Sequence, residues 1–107
     1  MANIVHSPQD EAVLAVKSAL DQYEQQFRGA EAALYRQNSG SIRVRVIDDR
    51  FAGMPKSRRH DLAWQFLADR VGDEAMSEVS LLLLLPRSEL GSSLMNVEFE
   101  HPTDSRL

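Results

Sequence analysis

At 107 residues the chain makes one small domain, long enough for a single hydrophobic core without metal or disulfide support. The absence of cysteine excludes a disulfide framework, a thiolate metal site and a cysteine nucleophile. A net charge of −4 argues against general affinity for nucleic acid, yet residues 41–60 hold six basic side chains against two acids, a local +4 beside −8 for the remainder.

Residues 1–6 read as an N-terminal tail. Ser7-Pro8-Gln9-Asp10 then opens a helix: Ser7 suits the cap, Pro8 the first helical position and Asp10 the acidic partner of a capping box. Val13, Val16, Leu20, Tyr23 and Phe27 recur at three- and four-residue steps, an amphipathic stripe that ends at Gly29. Ala32-Ala33-Leu34-Tyr35 is a strand of weak propensity and Asn38-Ser39-Gly40 a turn. Ile42, Val44 and Val46 alternate with polar neighbours, which makes the second arm of a β-hairpin. The acidic pairs Asp48-Asp49 and Asp73-Glu74 read as solvated turn residues.

Ser57 is a candidate cap for a second helix carrying Leu62, Ala63, Phe66, Leu67 and Val71, with Gly72 as its stop. Residues 73–76 allow a turn or one short helical piece. The apolar run 79–85, halted by Pro86, reads as a strand covered on both faces. A helix lies between this strand and the hairpin, so parallel pairing is expected. Together these elements give an α+β domain over residues 7–90, in the order αββααβ, with a three-stranded mixed sheet and its helices on one face. Residues 91–107 form a C-terminal extension in which Gly91-Ser92-Ser93 reads as a hinge. Val97-Glu98-Phe99-Glu100 alternates like a short strand, and Pro102-Thr103-Asp104-Ser105 reads as disordered.

No basic-then-apolar segment at the start suggests export. The longest apolar run, residues 81–85, is far shorter than the roughly 20 residues a bilayer-crossing helix needs. The expectation is a cytoplasmic protein without membrane contact, a monomer or weak homodimer. Nucleophile elbows, phosphate-binding glycine loops and zinc-protease motifs are all missing, so the expected activity is binding rather than catalysis.

The segment Asp49-Arg50-Phe51-Ala52-Gly53-Met54, followed by Pro55-Lys56-Ser57-Arg58 and Arg59-His60, places an aromatic, a glycine and a methionine between a strand and a cation-fronted helix. It resembles the BolA-like family, small domains of class II KH-like fold whose signature is an aromatic-x-Gly loop followed by an Arg-His helix start. The resemblance runs over roughly residues 8–90. It implies the same element order that periodicity predicts. It also implies one of two roles: a stress-responsive regulator of transcription, or a partner of monothiol glutaredoxins.

Iron–sulfur ligation in that family uses a histidine at the start of the last strand, where this chain has Ser80, and a histidine or cysteine in the hairpin loop, where it has neither. A hydroxyl is a poor cluster ligand. His6, His60 and His101 are the histidines left, and no cofactor or metal is expected. Phe51, Gly53 and Met54 are assigned to the structure of the loop, Gly53 supplying a backbone angle closed to other residues. Gly53-Met54-Pro55-Lys56 lacks the second glycine of a KH-type clamp.

The first functional expectation is contact with DNA or RNA through Arg43, Arg45, Lys56, Arg58, Arg59 and His60, with helix-terminal N–H groups assisting. The bland readings stand beside it: Arg43 and Arg45 solvate an outer strand face, and His60 orders the loop. The alternative expectation is a protein-interaction adaptor for a glutaredoxin-like partner. Trp64, off the apolar stripe of its helix, is either an interface residue or packed under the segment after Leu90.

Overall fold

A computed structural model of the chain describes residues 2–4 and 10–101. Helix α1 (Glu11–Gln26) begins where the Asp10 carboxylate accepts from the Val13 N–H at 2.9 Å. Asp10 is therefore the cap itself and not the far partner of a capping box. Ser7, expected as the cap, and Pro8, expected at the first helical position, lie outside the described residues. Val13, Val16, Ala19, Leu20 and Tyr23 form the buried stripe, and Gly29 reverses the chain with a φ of 90°.

Strands β2 (Glu31–Asn38) and β3 (Ser41–Ile47) pair antiparallel. At the turn between them the Asn38 side chain accepts from the Gly40 N–H at 2.9 Å, an Asx-type closure. Strand β4 (Val79–Leu85) lies parallel to β3, with Val44 beside Leu82 and Val46 beside Leu84. Helices α2 (Lys56–Ala68) and α3 (Asp73–Met76) form the connection between them. Helix α2 opens directly after Pro55 with no side-chain cap, so Ser57 is inside the helix. It buries Arg59, Ala63 and Leu67. Four-residue spacing keeps these on one line and turns Leu62, expected on the apolar stripe, out to 48% exposure. The helix stops at Ala68, and Gly72 marks the start of α3 instead.

Two expectations about the sheet are corrected. It has four strands, not three: β1 (Asn3–Ile4), in the segment read as a tail, pairs parallel with β2 at Ala33 and Leu34. The sheet order is β1-β2-β3-β4, which leaves β4 at an edge. Helices also cover both faces. The chain passes from β4 through a 3₁₀ turn (Arg87–Ser92) into helix α4 (Leu94–Glu100). Here Ser93 caps by accepting from the Asn96 N–H at 3.1 Å. The residues expected as a strand at 97–100 are thus helical. Four alternating positions are too few to separate a period of two from one of 3.6. The Ser93 cap and the inward pair Asn96 and Phe99, three residues apart, decide the outcome.

The main core lies between the sheet and α1, α2 and α3, centred on Leu20, Leu34, Val44, Val46, Leu67 and Leu84. A smaller cluster of Ala33, Tyr35, Leu83, Leu85 and Phe99 occupies the opposite face. Among the described residues no helix is long and apolar enough to cross a membrane.

Candidate functional site

The loop between β3 and α2 is built from its own side chains. Asp48 caps a 3₁₀ turn (Asp49–Phe51) by accepting from the Arg50 N–H at 3.0 Å. Phe51 drops into the main core at 1% exposure, and Met54 packs half-buried against the same cluster. Gly53 takes a φ of 76°, the left-handed region where a Cβ is disfavoured.

Asp48, read from sequence as a solvated turn residue, is buried. Its Oδ2 accepts from the Tyr23 hydroxyl at 2.7 Å and from Arg50 Nη2 at 2.9 Å. Burial works against its ionisation, but the bonds from the Arg50 side chain and backbone and from Tyr23 outweigh it and lower its pKa. Burial and the Asp48 acceptor together push the Tyr23 phenol far above its usual range. The group is a stitch that ties the loop to α1.

The six residues expected to contact nucleic acid divide into two sets. Arg43, Arg45 and Arg59 are engaged inside the molecule. Arg43 Nη1 donates to the Tyr35 hydroxyl at 3.0 Å and to Glu98 Oε1 at 3.3 Å. Arg45 Nη1 donates to Asn96 Oδ1 at 2.9 Å and to Glu100, with its guanidinium 4.8 Å above the Phe99 ring. Arg59 is 5% exposed. Its Nε donates to the Met54 carbonyl at 2.8 Å, Nη1 to the Leu84 carbonyl at 3.0 Å, and the fork grips Glu89 at 3.0 and 2.8 Å. The Glu89 pair raises the Arg59 pKa against the opposing effect of burial, and holds the Glu89 carboxyl below its usual range.

Lys56, Arg58 and His60 remain exposed on the first turns of α2, the two cations without an ion-pair partner among the described residues. His60 stacks on Trp64 with ring centroids 5.6 Å apart and 13° between planes. Trp64 itself is half-buried against the main core.

Ser80, at the place the resemblance reserves for a cluster-binding histidine, is exposed near the start of β4 and shares a short hydroxyl–hydroxyl bond with Ser41. Ser41 also donates to Gln37 Oε1 at 3.1 Å. No group of three or more histidine, aspartate or glutamate side chains that could hold a metal ion occurs among the described residues.

A groove of about 730 Å³ runs along the outer edge of β4. Its floor is formed by residues 82–85, one wall by Lys56, Ser57 and His60 of α2, and the other by Ser92, Ser93, Leu94 and Met95. Arg59 and Glu89 sit within it as a neutralised pair. Leu94 is 85% exposed and Met95 46%. Sequence reading located the cationic wall but missed the groove, because the apolar wall of Leu94 and Met95 belongs to the segment read as a C-terminal extension. The apolar pair Leu94-Met95 directly after a serine cap was the available signal. Comparison of the chain with protein-family models, with curated proteins and with solved structures finds no match.

Proposed function

We propose that this chain is a non-enzymatic, BolA-like binding protein that works as a protein-interaction adaptor and supplies no iron–sulfur ligand of its own. The groove along β4, with Leu94 and Met95 exposed on its rim, is the observation that carries the reading. Exposed apolar side chains beside a concave, mixed-polarity surface are the usual marks of a protein-binding site. The BolA-like assignment is supported by the run of elements from α1 to β4, by the antiparallel and parallel pairings around β3, and by the loop of Phe51 and Gly53 leading into Arg59 and His60. A hydroxyl at position 80, bonded to Ser41, favours an adaptor over a cluster-binding protein.

Contact with nucleic acid is the second reading, and Lys56, Arg58 and His60 favour it. It ranks below the first because Arg43, Arg45 and Arg59 already serve carboxylates and carbonyls of the fold. To test the adaptor reading, the protein is mixed with a cluster-loaded monothiol glutaredoxin and followed by size exclusion with visible absorbance. The expected result is a heterodimer with an unaltered cluster spectrum, weakened by Leu94→Asp or Met95→Asp. A changed spectrum would contradict the absence of ligation, and the absence of any complex would remove this partner. In parallel, labelled DNA and RNA at two salt concentrations should show no binding. Binding that falls steeply with salt and disappears in Lys56→Glu/Arg58→Glu would overturn the ranking.

A further inference from the structure

We infer that the outer edge of β4 accepts an extended acidic peptide as a fifth strand of the sheet. The inference rests on the adaptor reading and names the form in which the partner binds.

Backbone parity supplies the first argument. The Leu85 carbonyl accepts from the Asp48 N–H at 2.9 Å and so points toward β3, whereas the Leu84 carbonyl accepts from Arg59 and so points away. Alternation along the strand then directs the N–H and C=O of Leu82, and the N–H of Leu84, into the groove. β4 is a seven-residue edge strand with no charged residue and no internal proline. Proteins usually blunt such an edge. Here the blunting is partial: Arg59 occupies the Leu84 carbonyl and Pro86 ends the run, while the outward donor and acceptor of Leu82 have no partner among the described residues. An extended chain laid against them gains a short ladder of main-chain bonds, the mode of β-strand addition.

The walls specify the side chains. Leu82 and Leu84 face the main core with α2, whereas Leu81, Leu83 and Leu85 face the α4 side. A strand added outside β4 therefore presents alternate side chains to α2 and to the Leu94 and Met95 wall. On the α2 side it meets Lys56, with Arg58 adjacent and no acid in the first turn of a helix that lacks a side-chain cap. That wall favours carboxylates through charge and through the unmet N–H groups of the helix start. On the other side it meets exposed apolar groups. The fitting peptide alternates acidic and aliphatic residues. A second copy of this chain suits the site less well, because its own β4 carries helices on both faces and has to enter between two walls.

The test uses the full chain and a fluorescein-labelled peptide of alternating glutamate and valine. Two controls accompany it: the same peptide N-methylated on alternate amides, in either register, and a lysine–valine peptide. Anisotropy reads affinity, and amide hydrogen exchange reads the contact. The expected result is new protection at Leu82 and Leu84, whose N–H groups face the groove, with little change at Leu83 and Leu85, which already bond β3. At least one N-methyl register and the lysine peptide should each bind about tenfold more weakly or worse, a loss of ~1.4 kcal/mol. Lys56→Glu/Arg58→Glu should reverse the preference between acidic and basic peptides. Binding without new protection at Leu82 and Leu84, or equal affinity for every N-methylated form, overturns the proposal. So does self-association of the unliganded chain that protects the same amides, which makes the occupant a second copy. A glutaredoxin complex that forms while the peptide fails to bind sinks strand addition alone, and failure of both sinks the adaptor reading with it.

Discussion

One face of the sheet sets Leu34, Ile42, Val44, Val46 and Leu84 against α1, α2 and α3, while the other sets Tyr35, Leu83 and Leu85 beside Arg43 and Arg45 under the short helix α4. The first face is sealed by apolar burial, in which every side chain loses water and dispersion contacts accumulate. The second is held by Phe99 packed edge-to-face on Tyr35 at 5.0 Å, with two arginines reaching acids of α4 at the margin. Partly exposed ion pairs contribute little each, roughly 0.2–1 kcal/mol. From this contrast the two covers are expected to differ in how readily they come off, with α1 and α2 in the cooperative core and α4 opening locally.

Four experiments test that contrast. Leu34→Ala, at a side chain with no exposure, should lower the free energy of unfolding by about 3–4 kcal/mol in a urea titration with unchanged slope. Arg59→Met should follow at about 2–3 kcal/mol, because the Met54 and Leu84 carbonyls lose their donor at a buried position. A negligible loss there would show that the guanidinium is not needed to close the sheet edge.

Phe99→Ala should cost under about 2 kcal/mol, less than the usual value for a buried phenylalanine, because α4 can detach without unfolding the first face. Hydrogen exchange should then speed up in α4 and leave β2 and β3 protected. A loss equal to that of Leu34→Ala would mean that both faces melt as one unit.

The smallest effect is acid sensitivity at the start of α1. The Arg36 guanidinium, then the Val13 N–H, pull the Asp10 pKa from 3.8 to about 2. A depressed carboxylate stabilises the fold fully above its unfolded value and loses that contribution as pH falls through the folded one. The window therefore lies between pH 3.8 and about 2. Asp10 is partly solvated, so the contribution is screened to under about 1 kcal/mol. Asp10→Asn should flatten the stability profile in that window, and an unchanged profile would remove Arg36 as the anchor.

Much of the first face was legible from periodicity alone. Three- and four-residue steps from Val13 to Tyr23, alternation from Ile42 to Val46 and the leucine run ahead of Pro86 each carry their own period over enough residues to be read. The second face was illegible for the opposite reason. Alternation over four residues at Val97 does not separate helix from strand, and nothing local says that Glu98 and Glu100 will meet Arg43 and Arg45. Arg59 shows the same limit within the site: an arginine beside Arg58 in the chain looks equally available, and it is the distant Leu84 carbonyl and Glu89 carboxylate that hold it inside.

Local spacing was enough for the α+β class, the position of the glycine-bearing loop and the cationic start of α2, because these depend on neighbours a few residues apart. Long-range packing settled which cations stay free, that Asn3 and Ile4 add a strand, and that β4 lies at the sheet edge. Those outcomes depend on residues far apart in the chain competing for the same backbone groups and carboxylates, and local spacing holds no record of that competition.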